Sequence, residues 1–85
     1  MLKITATPDR DRGVLLKLEG KLLEPWLPEL TRACAAPPAA VRLDLTTLTY
    51  ADEPGVRTLR DLLRQGVTVA ATSAFVAALL GLEDR

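Results

Sequence analysis

The sequence holds no histidine, a single cysteine, and one each of tryptophan, tyrosine and phenylalanine among 85 residues. Without histidine, the side chain best suited to moving protons near neutral pH is missing, and Cys34 has no imidazole to activate it. A lone thiol closes no internal disulfide, so a reducing compartment is expected, most simply the cytoplasm. Cysteine–histidine metal spacing is absent, as is a Gly-rich phosphate loop with a lysine, and neither a metal nor any other cofactor is expected. An excess of one charge is also lacking, since 11 Lys and Arg meet 11 Asp and Glu. Duplex binding draws much of its affinity from a basic excess gathered on one face, so nucleic acid is not an expected partner. Long apolar runs are missing too. The uncharged stretch from Gln65 to Leu82 is interrupted by Gly66, Thr68, Thr72 and Ser73. It falls short of the roughly 20 apolar residues a helical span needs, so no direct membrane insertion is expected. Met1 to Arg12 alternates in character and lacks the apolar core of a secretory signal.

What is present is aliphatic. Hydrophobic residues make up 48% and aromatics only 4%, so the core must be built from Leu, Val and Ala. The charged share of 26% is that of a folded chain rather than a disordered one. The length suits a single domain over residues 1–85, small enough for its core to be only just sufficient.

Two alternating runs open the chain: Leu2, Ile4 and Ala6, then Val14, Leu16 and Leu18. The polar turn Pro8–Gly13 between them predicts an antiparallel hairpin, closed at Gly20. Pro25 and Pro28 suit only the first turn of a helix, whose face would carry Trp26, Leu27, Leu30, Ala33 and Cys34. Pro37 and Pro38 should end it near Ala36. Val41, Leu43 and Leu45 predict a third strand with Arg42 and Asp44 on its other face, followed by a loop from Thr46 to Asp52. Val56, Leu59, Leu62 and Leu63 mark a second helix, with Gly66 as its stop. Val67 to Ala71 reads as a strand covered on both faces because it carries no charge. Ser73 is placed to cap a third helix, Ala74 to Leu80, ended by Gly81. The order β-β-α-β-α-β-α implies an α/β fold: a mixed sheet with an N-terminal antiparallel hairpin and parallel right-handed crossovers.

The segment from Val41 to Val56 reads Val-Arg-Leu-Asp-Leu-Thr-Thr-Leu-Thr-Tyr-Ala-Asp-Glu-Pro-Gly-Val. It resembles the most specific segment of the STAS domains, named for sulfate transporters and anti-sigma factor antagonists. There a strand with an Asp-Leu-Ser/Thr step leads through a hydrophobic pair to Asp-Ser-Ser-Gly and an amphipathic helix. Asp44-Leu45-Thr46 matches the first step, and Asp52 and Gly55 match the outer positions of the second. Leu18-Glu19-Gly20-Lys21-Leu22 is similar to the family's Leu-Xaa-Gly-Xaa-Leu. The resemblance covers nearly the whole chain and implies a minimal STAS-like fold, without the fifth strand and last helix of many members. It also implies a non-enzymatic, bacterial regulatory module that binds proteins. In the anti-sigma factor antagonist branch a partner kinase phosphorylates the second serine of Asp-Ser-Ser-Gly. Pro54 stands at that position and Glu53 at the first serine, so the hydroxyl that such a switch requires is missing.

The residues of this segment carry a structural role and a functional one together. Asp52 is a favoured N-cap, Glu53 complements the positive helix end, and Pro54 costs nothing in the first turn. The resemblance implies that Asp52, Glu53, Pro54, Gly55, Arg57, Arg60 and Arg64 form a partner-docking surface. The arginines recur at helical spacing, either as a solvated face with an Arg57–Asp61 pair or as a stripe that reads an acidic patch. No side chain between Ala74 and Leu80 is polar. With Phe75 and Leu79 facing the sheet, Val76 and Leu80 would form a candidate oligomer or partner face. Cys34 is expected to pack rather than react, and no catalytic residue is expected. Asp44, Asp52 and Glu53 show no acid–base division of labour. The leading expectation is a protein-interaction regulator whose partner, by the resemblance, is an anti-sigma kinase-like protein or a transport-system subunit. The alternative is a structural or accessory subunit that self-associates as a homo-oligomer.

Overall fold

In the computed structural model, which describes residues 2–34 and 40–81, the opening alternation becomes an antiparallel pair. β1 (Leu2–Pro8) lies along β2 (Val14–Leu22), with Leu2 opposite Gly20 and Pro8 opposite Val14. Asp9 N–H donates to the Gly13 carbonyl at 2.9 Å and Gly13 N–H to the Arg10 carbonyl at 3.0 Å, closing the turn. The Arg42 guanidinium reaches the Asp9 carboxylate at 3.2 Å and staples this turn to the next strand.

β2 is longer than the alternation suggests. It continues past Gly20 to Leu22, and its two halves hold different neighbours. Val14–Lys17 pairs in parallel with Val41–Asp44 of β3 (Val41–Leu45), and Gly20–Leu22 pairs in parallel with β4 (Leu48–Ala51). β4 occupies the segment expected to be loop. It escapes a period-two reading because Leu48 and Ala51 are its buried residues while Thr49 and Tyr50 are exposed. The Thr46–Thr47 step that separates β3 from β4 is held by side chains. Asp44 Oδ1 accepts the Thr46 N–H at 3.0 Å and its hydroxyl at 2.7 Å. The Thr47 hydroxyl donates to the Leu18 carbonyl at 3.1 Å, and the Thr49 hydroxyl to the Gly20 carbonyl at 2.9 Å. Gly20, at φ +100°, supplies the backbone conformation at which the register shifts.

The sheet order is β1-β2-β3-β5, with β4 extending the β3 side along β2, and β5 (Thr68–Thr72) runs parallel to β3. Among the described residues three α-helices complete the fold: α1 (Leu27–Ala33), entered through a 3-10 turn at Glu24–Trp26, α2 (Glu53–Arg64) and α3 (Ala74–Leu80). The expected end of the first helix at Ala36 lies outside the described residues. Leu16, Leu18, Val41, Leu43 and Leu45 of the strands share one sheet face with Leu30, Leu59, Leu62 and Val76 of the helices, and all are buried. Burying each such side chain contributes about 1.5–3 kcal/mol, which is how so few aromatics suffice.

Three expectations are corrected. β5 is an outer strand with no buried residue, bonded to β3 alone among the described residues; its lack of charge reflects small Ala and Thr side chains, not cover on both faces. α3 is rotated from the expected phase. Val76 and Leu80 are buried in the core, so they are not an oligomer or partner face, while Phe75 is half exposed. Ser73 Oγ accepts the Val76 N–H at 3.2 Å and sets where the helix begins. Finally, Arg57 pairs with Glu53 at 3.8 Å and Arg64 with Asp61 at 3.1 Å, in place of an Arg57–Asp61 pair.

Candidate functional site

The start of α2 is anchored from two sides. Asp52 is its N-cap, in extended backbone, and its Oδ1 accepts the Gly55 N–H at 2.8 Å. Its Oδ2 accepts the Glu24 N–H at 2.9 Å, and its own N–H donates to the Leu22 carbonyl at 3.1 Å. One residue thus joins three elements: its backbone N–H holds the end of β2, and its carboxylate holds the turn before α1 and the first turn of α2. Gly55 is buried where that turn crosses β2: a Cβ there would stand 2.9 Å from both Asp52 Oδ1 and the Leu22 carbonyl oxygen. Pro54 sits in the first turn, where it has no hydrogen bond to forfeit.

From this anchored end, α2 turns Leu59 and Leu62 inward and Glu53, Arg57, Arg60 and Arg64 outward. The Arg60 guanidinium donates to the Leu79 carbonyl at 3.3 Å, tying α2 to the last turn of α3. Between these helices, over the end of β4, runs an open groove of about 510 Å³. Tyr50, Val56 and Leu79 form its apolar lining, and Arg57, Arg60 and Arg64 its basic wall, with Glu53 at one end.

Of the seven residues expected to dock a partner, Glu53, Arg57, Arg60 and Arg64 line this groove together. Asp52 and Gly55 lie beneath it as its support, and Pro54 is half-buried. Tyr50 and Leu79 were not legible as site residues. Tyr50 falls in a strand whose burial does not alternate, and Leu79 in a helix whose uniform apolarity carries no phase.

The remaining polar chemistry is local. Hydrogen bonds from the Thr46 hydroxyl and N–H hold the Asp44 carboxyl below the usual carboxylate range. The Arg10 backbone N–H, then the Arg42 guanidinium, do the same for Asp9. Cys34 is buried, and desolvation pushes its thiol up to about 11, the opposite of what a nucleophile needs. Among the described residues no cluster of acidic or thiol side chains is arranged to hold a metal ion, and no helix is long and apolar enough to cross a membrane.

No family model and no curated protein matches the chain. Solved structures do. The chain is similar to an antisigma-factor antagonist STAS domain from Rhodobacter sphaeroides, at TM-score 0.65 and 17% identity over 91% of each chain. It is also similar to an uncharacterized protein with a SpoIIAA-like fold from Shewanella loihica. That match has TM-score 0.60 and 16% identity over 98% of this chain and 76% of the other. The fold is therefore STAS-like, as the segment around Asp44 and Asp52 implied, and the low identity makes it a divergent example.

Proposed function

On this STAS-like fold, we propose that the chain is a non-enzymatic protein-interaction module of the anti-sigma factor antagonist kind, docking its partner along α2 from Asp52 to Arg64. The observation that carries the reading is the anchored N-terminus of α2. Asp52 fixes the helix end by bonds to Gly55 and Glu24, and four charged side chains project from that fixed frame beside an open groove. A rigid frame loses little conformational freedom on binding, so more of the contact energy appears as affinity. The partner is a bacterial cytoplasmic protein, an anti-sigma kinase-like protein or a subunit of a transport system. Regulation does not pass through a phosphate at position 54, because Pro54 offers no hydroxyl.

Pull-down of partner from the source cell, comparing wild type with Arg57→Glu and Arg60→Glu, tests the docking face. Loss of partner in the variants is expected; equal recovery would sink it. A self-associating accessory subunit is the second reading, favoured only by the exposed Phe75 now that Val76 and Leu80 lie in the core. Light scattering of the purified chain decides it, and a stable monomer removes it.

A further inference from the structure

The lining of the α2–α3 groove is lopsided in charge and apolar beneath. Three arginines line it with one lining carboxylate, Glu53, and Arg64 also holds Asp61 at 3.1 Å, which leaves Arg57 and Arg60 as the main cations of the wall. The Glu53–Arg57 contact is long at 3.8 Å, between side chains 88% and 66% exposed. Such a solvated pair holds its members weakly and leaves Arg57 free to exchange partners. Arg60 spends one nitrogen on the Leu79 carbonyl, leaving other N–H donors of its fork for a ligand. Tyr50, 47% exposed at the groove, offers an aromatic face beside Val56 and Leu79. Tyrosine and arginine around a concave apolar patch are the residue types that dominate binding energy at protein interfaces.

We infer that this groove takes an acidic segment of a partner protein carrying a large aliphatic or aromatic side chain. Its carboxylates would sit on Arg57, Arg60 and Arg64, and its apolar side chain would pack on Tyr50, Val56 and Leu79. The inference rests on the protein-interaction reading and names the chemistry of the partner. Forked guanidinium–carboxylate bonds fix the orientation of such a segment, and the apolar contact separates it from any merely anionic chain.

The test is selection from a random displayed peptide library on the full chain, with affinities of the enriched peptides then measured by fluorescence anisotropy. Enriched peptides are expected to combine several Asp or Glu with Leu, Ile, Phe or Trp. Their affinity should fall by about ten-fold or more in Arg57→Gln/Arg60→Gln, and likewise in Tyr50→Ser, as expected when an interfacial anchor is removed. Binding should weaken as salt rises in the wild type, and less so in the double arginine variant. Circular dichroism of both variants should match the wild type. No enrichment, enrichment of peptides without acidic residues, or unchanged affinity in the variants would overturn the proposal. So would binding to phosphatidylserine vesicles without binding to any peptide. A chain ending at Gly81 should bind the peptides no differently; markedly tighter binding would return the groove to the chain's own Glu83 and Asp84. If the pull-down partner depends on α2 while the selected peptides are neutral, the docking face stands and the acidic class fails. If the pull-down is indifferent to α2, both fail.

Discussion

Asp52 Oδ2 accepts the backbone N–H of Glu24 at 2.9 Å across 28 positions of sequence, while Oδ1 of the same carboxylate caps α2 through Gly55. A residue recognisable as a helix cap is therefore also a tertiary clamp. Asp52→Ala should lose both bonds and destabilise by about 2 kcal/mol, one part from the cap and one from the lost charge-assisted bond to Glu24. Asp52→Asn keeps a single acceptor oxygen and should lose about half as much. Urea unfolding of the three proteins measures the difference, and an Asn variant as stable as the wild type would show that only the cap matters.

Gly55→Ala tests the close approach of α2 to β2. Helix propensity alone predicts a gain of about 1 kcal/mol for alanine. The added Cβ would stand 2.9 Å from the Leu22 carbonyl oxygen, which is backbone and cannot swing aside. A net loss of about 1–3 kcal/mol is expected, from overpacking. A stabilised variant in thermal melts would refute the clash.

The phase of α3 is checked by neighbouring substitutions. Val76→Ala empties a position that is 1% exposed and should cost about 2 kcal/mol. Phe75→Ala removes a larger side chain that is 50% exposed and should change stability by less than about 1 kcal/mol. The reverse ranking in denaturant unfolding would restore the phase expected from the sequence, with Phe75 facing the sheet.

Cys34 should resist modification by a disulfide reagent at pH 8 and react only as the chain unfolds, because its thiol is held up at about 11. The raised value also sets a stability slope. An unfolded thiol ionises near its ordinary value of about 8.5, so the contribution of the buried neutral thiol is complete below that pH and is lost as pH climbs toward about 11. Cys34→Ala should therefore flatten the alkaline side of the stability curve relative to wild type, and identical slopes would contradict the burial.

Asp44 makes the opposite prediction in acid. Its folded carboxyl is held low by the Thr46 hydroxyl and N–H, so the stability it contributes is present above the ordinary carboxylate value of about 4 and disappears as pH falls through the lowered one. Thr46→Val should raise the Asp44 titration midpoint followed by carboxyl NMR. An unmoved midpoint would mean that the backbone bond alone sets it.

Much of this molecule is determined by local pattern. Alternation at Leu2–Ala6 and Val14–Leu18 suffices for the hairpin because one buried sheet face imposes period two on the strand. Asp52, Ser73, Gly66 and Gly81 mark helix ends because caps answer to the few residues around them. Gly55 could be placed at the α2 terminus, but not its pressure against Leu22.

What the tertiary structure alone decided is everything that depends on a neighbour distant in sequence. β4 exists because Gly20–Leu22 offers it an edge, and its burial follows the register shift at Gly20 rather than alternation. α3 is apolar at every position, so which side faces inward is settled by the sheet and α2, which bury Val76 and leave Phe75 exposed. The groove follows the same logic: Arg57, Arg60 and Arg64 are a legible stripe, but Tyr50 and Leu79 join it only when β4 and α3 pack beside α2. Sequence carries caps and periods because these are interactions among near neighbours; the phase of a uniform helix and the partner of a bulged strand are set by the surfaces they meet.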